Sequence, residues 1–391
     1  IGRLLYDSKA IFEDQLASVE RASVQRGHEY TNLALLTAGL RAEREQGITI
    51  DVAYRYFATA RRTFIIADTP GHVQYTRNMV TGASTADLSV VLVDARKGVL
   101  EQSKRHAYIS ALLGIPHLVV AVNKMDLVGY DEEVFDAIVR DFSDFARGLA
   151  VRDIVYIPIS AKHGDNVVDA LENMPWYGGT ALLEHLETVQ LDDDRNLEQA
   201  RFPVQWVIRD HDTDYRGYAG QIAGGILRAG DEVLVLPSQQ ITRIARIETF
   251  DGPLDEACAG MSVTLLLEDE IDVSRGDIIC HPRDAPQLSR ELTATVCWMT
   301  DAPLRAGARY AIKHATHAAR VIVDEVVDHV DVHTLAPDPS ATELGLNDIG
   351  RVRLRTSKPM AFDAYATSRA TGSFILIDET TNDTVGAGMI C

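Results

Sequence analysis

The sequence predicts an α/β domain with a mostly parallel sheet flanked by helices, followed by two small antiparallel β-barrels. Over residues 1–187 short apolar runs alternate with longer amphipathic stretches, the pattern of parallel strands joined by helices. From about residue 190 this gives way to strand-like runs separated by glycine-bearing turns. The 391 residues hold two to four domains at about 100–200 residues each, and the change of pattern supports three.

In chain order, the first domain is residues 1–189, with predicted strands at 63–67, 88–93, 117–122 and 154–158. Helices are predicted at 75–82, 103–113 and 131–148, each opening or closing at a polar residue or glycine. Residues 190–200, with Asp192, Asp193 and Asp194 in succession, lack periodicity and read as a linker. The first barrel, 201–288, carries predicted strands at 202–208, 232–236, 263–267 and 277–280. The second, 289–391, carries them at 292–298, 319–328, 349–355 and 373–377. Between the barrels, at 281–289, Pro282, Pro286 and polar residues break the pattern. There is no internal repeat.

Composition narrows the function classes. With 46% hydrophobic and 24% charged residues the chain reads as a soluble globular protein, and no apolar run approaches the roughly 20 residues of a membrane span. Ile1 to Asp7 has no basic region, long apolar core or small-residue cleavage site, so the expected location is cytoplasmic. A formal net charge of -19 opposes non-specific attraction to nucleic acid and anionic lipid, and neither is an expected partner. Cys258, Cys280, Cys297 and Cys391 show neither a C-x-x-C pair nor a regular framework. The first three read as small core residues.

The chemistry lies at predicted strand ends, where α/β sheets bind their ligands. After strand 63–67 comes Asp68-Thr69-Pro70-Gly71-His72. Asp68 suits a magnesium ion held through its hydration shell, since Mg²⁺ keeps most of its waters and takes few protein carboxylates. Gly71 has no side chain, so its backbone N–H can approach a terminal phosphate closely. After strand 117–122 comes Asn123-Lys124-Met125-Asp126. A carboxylate at Asp126 can accept from both the ring N–H and the exocyclic amine of guanine, a pair that adenine does not offer. Asn123 can bridge neighbouring loops, and the aliphatic stem of Lys124 can cover the ring face. After strand 154–158 comes Ser160-Ala161-Lys162, a tight loop that can present backbone N–H groups to the base carbonyl. Upstream, Glu43-Arg44-Glu45-Gln46-Gly47-Ile48-Thr49 ends on a threonine. Its hydroxyl can bind Mg²⁺ while its N–H meets the terminal phosphate, so that it senses whether that phosphate is present.

In their order and spacing these motifs resemble the translation-factor class of GTPases. The resemblance implies GTP and Mg²⁺ as ligands, with Thr49 and Asp68 at the metal, and His72 as the residue that orients the attacking water. Further stretches, among them Pro175-Trp176-Tyr177, Arg216-Gly217-Tyr218-Ala219-Gly220 and residues 47–57, 72–86, 159–168 and 370–377, look like the large subunit of bacterial sulfate adenylyltransferase. That family couples GTP hydrolysis to formation of adenosine 5′-phosphosulfate and pyrophosphate from ATP and sulfate. The implied partner is a small catalytic subunit that carries adenylyl transfer. Val73, Ala38 and Asn32 stand where the family pattern leads one to expect acidic residues. The family opens on a strand and a G-x-x-x-x-G-K-[ST] phosphate loop; this sequence starts beyond it, which reads as an N-terminal truncation. Some members continue into a kinase for adenosine 5′-phosphosulfate. The alternative readings are a translational GTPase acting with aminoacyl-tRNA or the ribosome, and a degenerate GTPase serving as a scaffold.

Overall fold

The computed structural model describes residues 1–9, 11, 13–25, 31, 33, 49, 51–72, 75–170, 172–191, 196–210, 212, 215–331, 334 and 336–391. It divides into two compact units, Ile1–Leu191 and Asp192–Cys391.

The first unit opens with α1 (Gly2–Asp7) and α2 (Glu13–Gln25), followed by β1 (Ala53–Ala58), β2 (Thr63–Asp68) and α3 (Thr76–Ala83). Next come β3 (Leu88–Asp94), α4 (Glu101–Leu112), β4 (His117–Asn123), α5 (Glu132–Ala146), β5 (Asp153–Pro158) and α6 (Leu182–Thr188). Strands β3, β4 and β5 form a parallel sheet in that order. Strand β4 is central, and its residues 117–122 are buried on both faces, as a strand covered by helices on each side must be. One face packs Val91, Val93, Val120 and Val122 on Ala107 of α4 and on Phe135, Ile138 and Phe142 of α5. The other packs Val119, Ala121 and Ile157 on Leu4 and Leu5 of α1 and on Leu182 and Leu183 of α6. Helix α5 starts where the Asp131 carboxylate caps it, accepting from the Glu133 N–H at 2.8 Å. The spacing of Phe135, Ile138 and Phe142 then turns one apolar stripe inward.

Strand β2 departs from the expected sheet. It pairs antiparallel with β1, Phe57 level with Phe64 and their rings stacked at 4.6 Å. The cause is a local connection: Thr59 Oγ1 accepts from the N–H groups of Arg61 and Arg62, closing a tight turn that reverses the chain. Among the described residues no strand lies beside the other edge of β3.

The second unit holds two six-stranded antiparallel barrels. Around the first run Arg201–Asp210, Tyr215–Gln221, Ser262–Leu267, Gln240–Thr249, Glu232–Leu236 and Ile278–Cys280, and the last pairs back with the first. Around the second run Gln287–Trp298, Ile349–Phe362, His317–Val330, Arg309–His314, Ser373–Ile377 and Thr384–Ile390, again closing on the first. Closure removes the open edges that would otherwise invite pairing with other chains. Alternation is clear at 349–355: Val352 and Leu354 are buried in the core, while Arg351, Arg353 and Arg355 face outward. Each of these arginines meets an acid on the adjacent strand, Asp328, Glu325 and Asp324 respectively. The second barrel's first strand begins at Gln287, so the interruption is shorter than the sequence suggests. Leu288 pairs with Ala361, and a register shift between Ser289 and Glu291 lies opposite the segment holding Pro359, which has no N–H for the ladder.

The barrels are joined through Arg201, 2% exposed. Its Nε and Nη2 donate to the Asp363 carboxylate at 2.8 and 2.9 Å, and its Nη2 to the Asp284 carbonyl at 2.8 Å. Cys280 and Cys297 are buried as expected; Cys258 is only half-buried, and Cys391 is exposed. Among the described residues no helix is long and apolar enough to cross a membrane.

Candidate functional site

Parallel register brings the carboxyl ends of β3, β4 and β5 to one edge, with Asp94 level with Asn123 and Val122 level with Pro158. The loops after β4 and β5 are tied together there by Asn123. Its Oδ1 accepts from the Lys124 N–H at 2.8 Å and from the Ala161 N–H at 3.0 Å. Of the backbone N–H groups of the 160–162 loop, that of Ala161 is thus spent on Asn123. Ser160, fully buried, donates its hydroxyl to Asp126 Oδ1 at 2.8 Å, which orients the carboxylate. Met125 is fully buried under this loop and anchors it to the core. Lys124 takes a left-handed backbone, φ 69°, so its side chain leaves the loop in a direction that ordinary helical or extended backbone does not give.

The loop after β2 approaches from the hairpin. Pro70 is buried, Thr69 and Gly71 are half-buried, and His72 is exposed. A Cβ built on Gly71 would lie 3.0 Å from Gln102 Nε2 of α4, so a larger residue here would have to push the Gln102 side chain aside. The Gly71 carbonyl accepts from the Nε2–H of His106, also on α4, at 3.1 Å. Burial pushes the His106 imidazole below its ordinary pKa, against the pull of that hydrogen bond.

A cavity of about 1170 Å³ runs along this edge; Thr49, Asp68, Thr69, Gly71, Asn123 and Ala161 are among the residues that line it. The predicted metal residues Thr49 and Asp68 and one member or more of each predicted loop thus line the same cavity. Pro70, His72, Lys124, Met125, Asp126, Ser160 and Lys162 do not line it. Lys162 is exposed. Residues 42–48, along with Asn32, Ala38 and Val73, fall outside the described residues. Sequence reasoning missed Asp94, which also lines the cavity, and the α4 pair Gln102 and His106. It missed Arg3 too, whose Nε donates to the Ala161 carbonyl at 3.0 Å and pins the third loop to α1. None of these stands in a motif; only the register of β3 with β4 and the packing of α1 and α4 reveals them.

The folds and the loop set define a class. Residues 1–190 match the elongation factor Tu GTP binding domain family, 219–280 elongation factor Tu domain 2, and 291–391 the GTP-eEF1A C-terminal domain-like family. Within it, the chain is 52% identical to sulfate adenylyltransferase subunit 1 of Bacteroides fragilis (strain YCH46), covering 100% of this chain and 82% of that protein. It is 53% identical to the protein of the same name from Shewanella oneidensis, at 100% and 81% coverage. The chain belongs to the sulfate adenylyltransferase subunit 1 family. A bifunctional enzyme CysN/CysC of Mycobacterium tuberculosis (strain ATCC 25618 / H37Rv) is 59% identical over 394 aligned residues, and the chain spans 64% of its length.

Proposed function

We propose that this chain is the GTP-hydrolysing part of a sulfate adenylyltransferase, coupling GTP turnover to formation of adenosine 5′-phosphosulfate and pyrophosphate from ATP and sulfate. The observation that carries the reading is the meeting of three strand-end loops at one edge of the sheet, in a member of this family. Residues 1–189 act as the GTPase domain, 190–200 as linker, and 201–288 and 289–391 as the barrels. The location in this reading is cytoplasmic.

Each residue then has a physical task. The Asp126 carboxylate accepts from the guanine edge, and Asn123 keeps the two base loops at fixed spacing. The Gly71 N–H meets the terminal phosphate, in a site where preorganised donors are worth more than in water. The donors at Thr49 and Asp68 are a hydroxyl and a carboxylate lining one cavity, a hard oxygen set that suits Mg²⁺ with most of its waters kept. When bound, the ion would neutralise phosphate charge. His72, exposed on the loop after Gly71, turns inward to orient the attacking water once the loop closes on nucleotide. The loops of Thr49 and Gly71 change state with the terminal phosphate and pass that state to a small catalytic subunit.

The test is the yield of adenosine 5′-phosphosulfate from ATP and sulfate, made by the full-length protein with its small subunit, with and without GTP. The reading requires GTP to raise the yield; a yield indifferent to GTP contradicts it.

A further inference from the structure

We propose that Asp94 is a positioning residue of the guanine pocket, acting through Lys124; the inference rests on the reading that these loops bind a guanine nucleotide. Asp94 ends β3 directly level with Asn123, and the two strand ends are joined by the Ala95 N–H, which donates to the Asn123 carbonyl at 2.9 Å. The Asp94 carboxylate is then held in a fixed plane by a single arginine. Its Oδ1 accepts from the Arg96 backbone N–H at 3.1 Å and from Arg96 Nε at 3.0 Å, and its Oδ2 from Arg96 Nη2 at 2.7 Å. This two-pronged grip leaves Oδ2 facing the next loop, where it accepts from Lys124 Nζ at 2.9 Å. The same partners, Arg96 first and Lys124 after burial, hold the Asp94 carboxyl well below the usual carboxylate range, so it stays ionised.

The consequence falls on the base. A lysine side chain carries roughly 2 kcal/mol of rotamer entropy, and a stem free to move would lose it each time it was ordered against a flat ring. With Nζ fixed on Asp94 and the backbone fixed in the left-handed conformation, both ends of the Lys124 stem are set before ligand arrives. The competing account, a strand-end ion pair with no role in binding, gives little to either stability or affinity.

The experiment measures GDP, GTP and ADP affinity of the full-length protein by calorimetry, for wild type, Asp94→Ala, Lys124→Ala and the double variant, with melting temperatures of the nucleotide-free proteins. Loss of preorganisation should raise Kd for GDP and GTP alike by about tenfold in Asp94→Ala, with kcat at saturating GTP and the melting temperature unchanged. The double variant should bind no more weakly than Lys124→Ala alone, because Asp94 acts only through that lysine. Wild-type affinity in Asp94→Ala, or additive losses in the double variant, would overturn this inference while leaving the guanine reading intact. A wild-type protein that binds ADP as well as GDP would overturn the guanine reading and this inference with it.

Discussion

At the scale of single residues, the site separates groups whose meaning survives in a string of letters from those whose meaning needs a fold. Asn123, Asp126 and Ser160 were legible because strand ends fix where they stand, and the bonds from Asn123 to Ala161 and from Ser160 to Asp126 follow from that placement. Asp94 and His106 were not, since an aspartate after a strand and a histidine on a helix are common. Only the level pairing of β3 with β4 and the contact of α4 with Gly71 give them roles. The assignment of Asp126 predicts a change of base preference. Asp126→Asn exchanges an acceptor for a donor toward the exocyclic amine of guanine, costing about 1–3 kcal/mol of GTP affinity. Xanthine nucleotides, with a carbonyl at that position, should gain. Competition binding with the two nucleotides measures this, and an unchanged preference for guanine counts against the role.

At the scale of elements, the three predicted helices were read to within about two residues of their ends because their apolar spacing is regular, as at α5, while α1, α2, α6 and several barrel strands, among them Tyr215–Gln221 and Gln240–Thr249, were not predicted. The β1–β2 hairpin was not, since a short apolar run at 63–67 reads the same whether its neighbour is parallel or antiparallel; a threonine-capped turn at 59–62 made the choice. Helix α3 offers a prediction opposite to ordinary helix propensity. Replacing a glycine within a helix by alanine usually stabilises by up to about 1 kcal/mol; Gly82 is the next-to-last residue of α3. At Gly82 the new Cβ would lie 2.4 Å from Thr69 Cγ2 and 3.2 Å from Val52 Cγ1. Gly82→Ala should therefore displace the Thr69 loop and weaken nucleotide binding without raising the melting temperature. A stabilised variant with normal binding would show that α3 and this loop are not in register as described.

At the scale of the whole molecule, the barrels were legible in outline from turn spacing, yet their joining was not, because it rests on contacts distant in sequence: buried Arg201 reaching Asp363, 162 positions away, and a small apolar cluster of Leu236, Ile278, Cys280 and Ala361. Arg201→Met should leave the buried Asp363 carboxylate without its cation, with only the Thr371 hydroxyl, among the described residues, still donating to it, at a cost of about 3–5 kcal/mol, read as a lower urea midpoint for the second unit. A midpoint within error of wild type would assign the join to apolar packing instead. A buried and a half-buried histidine set a second global property. Burial holds His314 and His317 below the ordinary imidazole range in the folded state. With a depressed folded pKa, their stability contribution is complete above the unfolded value of about 6.5 and is lost as pH falls through the folded one. His314, 1% exposed, adds a slope of at most about 1.4 kcal/mol per pH unit in that window, and half-buried His317, screened by solvent, adds less. His314→Gln should flatten the acid side of the stability curve; an unchanged curve would place the acid sensitivity elsewhere.

The coupling itself is the central claim, and it is tested most directly by measuring GTP turnover and adenosine 5′-phosphosulfate formation in one reaction, with the small subunit present, for wild type and His72→Ala. The account predicts that the variant loses GTP turnover by about 100-fold or more while still binding GTP, and that GTP-dependent sulfate activation falls with it. Sulfate activation that continues at the wild-type rate after GTP turnover has been lost would contradict it.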